Sequence, residues 1–295
     1  MSWLIKGTII GFDFEKWKTD PETLASWLFC AMETWSMGNF SARGDFLTDL
    51  PNDVRRKYGE VKAAVSAFYN DIHSLSIALH QMNYILSDEK IEGGLKTLYI
   101  GNLVENYITN IRTIYDLLAV FPRIAANFDS LKLRSVSTDN LNSLLKGIED
   151  KPEWAISVFT EPVVSVLKAM RPSLSIIREI RNAIIHDGKE PIVSIKSGVA
   201  YFRIPKSSRN YNESLLPDLL NLKTLDFPLF PYLQAITGTL WGQMDNLGKV
   251  LINNAHDKDN NYRCEFTVLG GICIPDFMAF INKNYAEIAK PKIED

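Results

Sequence analysis

The chain has 295 residues, 46% of them hydrophobic and 23% charged, with a formal net charge of -3. Such a balance suits a globular protein of one large or two small domains, and it supplies no global positive field for nucleic acid or an anionic membrane, so either would need a local patch. Three scattered cysteines, Cys30, Cys264 and Cys273, fit reduced thiols better than a disulfide framework.

In chain order, Trp3 to Phe12 is an apolar run broken by Lys6 and followed by Asp13, Glu15 and Lys16. No small-residue cleavage pattern follows, and the run reads as a strand. No uncharged stretch reaches the ~18 to 20 apolar residues of a membrane span, so a cytoplasmic protein without membrane association is expected. A short helix is expected around Pro21 to Trp35.

From Val54, the residues Tyr58, Val61, Val65, Phe68, Ile72, Leu75, Leu79, Met82 and Leu86 alternate steps of four and three, the spacing of a helix about 50 Å long. Pro51 and Asn52-Asp53 supply its start, and Ser87-Asp88 and Gly93-Gly94 a break after it. A second helix carries Ile100, Val104, Tyr107, Ile111, Ile114, Leu118 and Phe121 on its apolar side, with Pro122 ending it. The short link predicts an antiparallel pair.

Residues 126–152 are polar and end in a Lys151-Pro152 break, which reads as loop or short helices outside the core. A third helix is expected from Pro162 to His186, bent at Pro172 and closed by Gly188. Ile192 to Ile195 and Val199 to Ile204, around Lys196-Ser197-Gly198, have the composition of a hairpin. Leu233, Ile236, Leu240, Met244, Leu247 and Leu251 mark a fourth long helix despite Gly238, Gly242 and Gly248. Residues from Tyr262 to Ile274 suggest further strand, and Phe277 to Tyr285 a final helix.

The fold class expected is therefore mainly α: a four-helix up-and-down bundle with a β-hairpin insertion and small terminal additions. Its bounds are an N-terminal extension over 1–53, the bundle over 54–256 with the hairpin near 192–204, and a tail over 257–295.

Within the third helix, Leu174, Ile177, Arg181 and Ile184 form one seam by spacing. A cation on a core-facing seam must be paired, extend its stem to water or face a cleft, because an uncompensated buried charge costs roughly several kcal/mol. Arg181 is followed by Asn182 and, five residues on, by His186. A structural alternative has His186 against the negative helix end, Gly188 as cap and Arg181 in an ion pair. Spacing alone discriminates poorly, since such a pair arises by chance in roughly every second chain of this length.

In context, an arginine, a polar residue and a histidine at the end of a third long helix, Arg181-Asn182-x-x-x-His186 resembles the motif of the HEPN superfamily of four-helix bundles. The resemblance covers about residues 54–256. It implies a metal-independent endoribonuclease acting as a homodimer whose two motif-bearing helices line a shared cleft. It also implies an RNA substrate, no cofactor, and a toxin or antiviral role with an antitoxin or regulatory protein as partner. In the subgroup regulated by nucleotidyltransferase antitoxins a tyrosine stands two residues beyond the histidine; here that residue is Gly188, which puts that regulation in doubt.

The chemistry suits these side chains. Cleavage of RNA by its own 2′-hydroxyl needs a base for the hydroxyl proton and a cation for the charge gathering on phosphorus. An imidazole titrates near neutrality, and a guanidinium matches phosphate oxygens, so His186 and Arg181 fit these roles. Five helical steps turn Arg181 and His186 roughly 140° apart, whereas Asn182 and His186 share a face, so Asn182 can orient the imidazole or hold substrate. A site completed by a second protomer would relieve the mismatch. Glu105 and Asp116, on a polar stripe with Asn102, Asn106, Thr109 and Thr113, are the candidate partners of Arg181, although Arg112 can satisfy Asp116 locally.

Two other classes stay open: a catalytically inactive HEPN-like module binding RNA, nucleotide or a partner protein, and a purely structural bundle. His73, His80 and His256 lack paired zinc spacing, as do Cys264 and Cys273. Ser143-Leu144-Leu145-Lys146 matches a bare Ser-x-x-Lys word without its companion motifs, and no Walker-type or dinucleotide glycine loop occurs.

Overall fold

The computed structural model describes residues 4–6, 28, 31–32, 52–124, 140–185, 191–203, 226–254, 263–265, 277 and 280–281. These are mainly helical. In chain order they form β1 (Leu4–Lys6), α1 (Asn52–Ser87), α2 (Gly93–Leu117), a 3-10 turn (Phe121–Ile124), α3 (Leu141–Asp150), α4 (Pro152–Phe159) and α5 (Glu161–Ala169). Then come α6 (Arg171–Ile185), β2 (Ile192–Lys196), β3 (Val199–Arg203), β4 (Phe227–Pro228), α7 (Leu229–Asn254) and β5 (Arg263–Glu265). No helix among the described residues is long and apolar enough to cross a membrane.

The chain divides into two compact units, each assembled from three stretches. The first comprises Met1–Asn70, Ile114–Arg171 and Trp241–Ile272; the second comprises Asp71–Thr113, Pro172–Leu240 and Cys273–Asp295.

In the first unit, β1 and β5 pair in parallel with Ile5 opposite Cys264, joining the N-terminal and C-terminal regions in one small sheet. Its core includes Val61, Val65 and Phe68 of α1, with Phe68 meeting Phe121 edge to face at 5.4 Å. Arg123, buried at 6% exposure, forms an ion pair with Glu60, which satisfies the guanidinium charge.

Helix α3 is one of the short helices expected as an alternative to a loop over 126–152, but it corrects their place outside the core. Asn140 caps it by accepting from the Ser143 N–H at 2.9 Å, and Leu141, Leu144, Leu145 and Ile148 are fully buried. Steps of three, one and three put these four on a single stripe. The polar residues between them had masked the pattern, and Ser143-Leu144-Leu145-Lys146 is part of this packed helix.

Two boundaries also move. Gly93 and Gly94 open α2 instead of breaking the chain; they are exposed, in a first turn whose N–H groups lack helical partners in any case. The same helix ends at Leu117, before Pro122, which lies inside the 3-10 turn. The long third helix is two: α5 stops at Ala169 and α6 starts at Arg171, with Pro172 in its first turn, where proline needs no N–H partner.

In the second unit, β2 and β3 form the expected hairpin, with Ser197 and Gly198 at φ 48° and 77° as its two-residue turn. Positive φ at both positions matches the right-handed twist of the strands. Spacing did not anticipate the third strand: β4 pairs with β3, Phe202 opposite Phe227. Asp226, buried at 4% exposure, accepts from Arg203 Nε at 3.0 Å and Lys196 Nζ at 3.4 Å, pinning both hairpin strands to the start of β4. Tyr232 of α7 packs against Phe202 and Phe227. Tyr107 of α2 is buried with its hydroxyl 2.7 Å from that of Thr237, which donates onward to the Leu233 carbonyl.

Ile204, His186, Gly188, His256 and Cys273, which carried sequence expectations, lie outside the described residues. The helices expected near 21–35 and 277–285 are described only at Leu28, Ala31 and Met32, and at Phe277, Phe280 and Ile281, all helical.

Candidate functional site

Helix α6 carries the Arg-polar-His motif up to Ile185. Its buried side is Leu174, Ile177, Ile180, Ala183 and Ile184, and these residues correct the seam drawn through Arg181. Steps of three from Leu174 to Ile177 to Ile180 to Ala183 follow the packed face, while Arg181 sits at its margin, half-buried. The physical reason is that a 100° turn per residue puts positions 180 and 184 on the core side as readily as 181 and 184, and isoleucine wins the dry position.

Arg181 Nη1 donates to Asn182 Oδ1 at 3.5 Å, the long limit of a hydrogen bond. Both side chains are half-buried, which lets the guanidinium keep water on part of its surface while its stem covers apolar neighbours. A half-buried arginine can receive an anion without the desolvation a fully buried one would need.

Glu105 belongs to the same unit as Arg181 and lines a cleft of about 400 Å³. Its walls are Thr97, Leu98, Gly101 and Asn102 of α2 and Pro191, Ile192 and Val193 at the start of the hairpin. Gly101 permits the close approach: a Cβ there would meet the Pro191 carbonyl oxygen at 3.4 Å. Pro191 follows His186 by five residues. The second candidate partner, Asp116, falls in the first unit and is half-buried.

On the polar stripe of α2, Asn102 and Asn106 are exposed and joined by their carboxamides at 3.0 Å, and Thr113 donates to the Thr109 carbonyl at 3.1 Å. Much of this stripe is therefore a solvated helix face.

A larger groove, about 670 Å³, lies between the C-terminal half of α1 and the start of α2. Its lining includes His80, Gln81 and Tyr84 from α1 and Leu98, Tyr99 and Asn102 from α2. Spacing had followed only the buried seams of these helices; the overlooked signal was a second set of apolar and aromatic residues off those seams, Ile77, Tyr84, Leu95, Leu98 and Tyr99. Lys96 Nζ donates to the Leu86 carbonyl at 3.0 Å and ties the two helix ends together.

Among the described residues of this unit, three titratable groups, Asp71, Tyr107 and Tyr232, are displaced upward by burial. The carboxyl of Asp71, whose Oδ2 has no hydrogen-bond partner among the described residues, is pushed up to about 6. The Tyr232 phenol, fully buried and also without a partner, is held well above the usual range. No group of three or more His, Cys, Asp or Glu among the described residues could hold a metal ion. Comparisons with protein-family models, with curated proteins and with solved structures return no match for this chain.

Proposed function

We propose that this chain is a metal-independent endoribonuclease of HEPN type, working as a homodimer, with α1, α2, α6 and α7 as its four-helix bundle. The observation that carries the reading is the half-buried Arg181 near the end of α6, against the Asn182 carboxamide and five residues before His186 in sequence. His186 takes the proton of the RNA 2′-hydroxyl, Arg181 neutralises charge on the phosphorane, and Asn182 orients the imidazole or the substrate. The leaving 5′-oxygen then acquires a proton, and the product ends in a 2′,3′-cyclic phosphate. A role as toxin or antiviral effector, with an antitoxin or regulatory protein as partner, rests on the family resemblance alone.

The test is cleavage of RNA by the purified chain in chelator. His186→Ala is expected to lower the rate by roughly 100-fold or more, the usual scale of lost general-base catalysis. Equal cleavage by wild type and variant would overturn the assignment. A second reading, an inactive HEPN-like module that binds RNA, nucleotide or a partner protein, is favoured by the low basic content of the chain, whose formal net charge is -3. RNA binding without turnover would select it.

A further inference from the structure

Along α1, Ile77, Gln81 and Tyr84 recur at steps of four and three; along α2, Leu95, Leu98, Tyr99 and Asn102 do the same. Gln81 and Tyr84 of the first stripe and Leu98, Tyr99 and Asn102 of the second line one groove. In it Tyr84 is 63% exposed, Leu98 65% and Tyr99 49%, and beyond its lining Ile77 and Leu95 on the same two stripes are exposed as well. These five are most of the large apolar side chains left exposed among the described residues.

We infer that this α1–α2 face is the surface on which a second copy of the chain docks, the two helical hairpins packing across a two-fold axis. The inference deepens the homodimeric part of the proposed function and rests on it in that respect.

Three observations commit the face to its own copy. First, an isologous contact sets residues near the axis against their twins, and a charged side chain there would meet a like charge. The groove lining holds no lysine, arginine, aspartate or glutamate.

Second, its polar groups complement themselves. The carboxamides of Gln81 and Asn102 and the hydroxyls of Tyr84 and Tyr99 each donate and accept, so a twin can satisfy each of them, which an all-donor or all-acceptor set could not arrange. Third, the exposed parts of the five side chains sum to roughly 500 Å² per copy on ordinary side-chain areas. A two-fold contact then buries the roughly 1,000 Å² expected at the low end of specific interfaces. The tyrosine content is that of an interface core, where lysine and glutamate are depleted.

The contact also has a place in the proposed chemistry. The neighbouring cleft shares Leu98 and Asn102 with the face and is bounded by Pro191, five residues after His186 in sequence. The chain that follows each motif thus reaches the edge of the same contact.

Sedimentation velocity on the full chain tests this at about 50 µM, above the micromolar dissociation constant expected of so small an interface. Wild type is expected to sediment as a dimer. Leu98→Glu and Tyr84→Glu, which set like charges against each other, are expected to weaken it at least tenfold with unchanged circular dichroism. Ile156→Glu, at an exposed apolar position in the first unit, is expected to leave it intact. If either glutamate variant fails to fold, Leu98→Ser and Tyr84→Ser decide by the same tenfold criterion.

A monomeric wild type overturns the inference, whatever else binds the groove, and so does a dimer indifferent to all four changes. A dimer sensitive to them that leaves RNA uncut overturns the nuclease reading alone. RNA cleavage by a dimer that the changes do not weaken overturns this surface alone.

Discussion

In the short helices α3 to α5, Leu141, Leu144, Leu145, Ile148, Val163 and Leu167 are fully buried, while in the longer α1–α2 hairpin Tyr84, Leu98 and Tyr99 stay about half exposed or more. Length and periodicity rank these regions the other way round. The hairpin has regular seams and α3 is ten residues of mixed polarity, yet it is α3 that spends every large apolar side chain on the core. Periodicity says which residues share a face; whether that face is covered depends on what the rest of the chain brings against it. A face left open on a well-formed helix pair is the more informative, because none of the described residues covers it.

Truncations probe that contrast most strongly. Leu144→Ala should lower the unfolding free energy by about 3 kcal/mol, the usual cost of a buried leucine with its cavity, whereas Leu98→Ala should shift it by no more than about 0.5 kcal/mol. Denaturant titration at a concentration where the chain is monomeric measures both, and equal losses would break the comparison.

Two substitutions of intermediate size test strain, one in each unit. Thr160, between α4 and α5, has φ 69° and ψ 154° and a hydroxyl without a partner among the described residues, a backbone region nearly reserved for glycine. Thr160→Gly should therefore stabilise the fold by about 1 kcal/mol, visible as a raised melting temperature. A loss would mean that Thr160 makes a compensating contact.

Asp71 tests α1. Burial pushes its carboxyl from the ordinary 3.8 up to about 6, so the folded state binds the extra proton and disfavours the carboxylate. The destabilisation is full above pH 6, shrinks as pH falls between the two values and is gone below the unfolded one. Asp71→Asn should stabilise at pH 7 by about 1 kcal/mol, after discount for partial exposure, and match wild type near pH 3. A variant no more stable than wild type at pH 7 would locate a partner for that carboxylate.

The smallest effect is expected at Tyr232. Its fully buried hydroxyl has no partner among the described residues, so Tyr232→Phe should be neutral or stabilising by about 0.5 kcal/mol. A loss above about 1 kcal/mol would reveal a hydrogen bond there.

Much of the helical framework was legible. The four-and-three steps from Val61 to Met82 and from Ile100 to Ile114 name residues that are buried, since a continuous helix has only one way to present a stripe. Ser197-Gly198 was legible as a turn because the two-residue hairpin demands positive φ. At the candidate site the reading was coarser. Arg181 was legible as an anomaly, but its half-buried margin position was not, because residues one apart on a helix compete for the same seam and packing decides between Ile180 and Arg181. The break at Met170 was equally hidden, since Pro172 is compatible with both a kink and a fresh helix start.

The sequence by itself determined where the main helices run, where the hairpin turns and which cation stands beside a histidine motif, because these follow from local spacing and backbone preference. The tertiary structure alone decided that α3 belongs to a core, that β4 completes the sheet around Asp226, and that the α1–α2 face stays open among the described residues. Those outcomes depend on which distant segments meet, and pairing over long separations leaves no periodic mark in the chain.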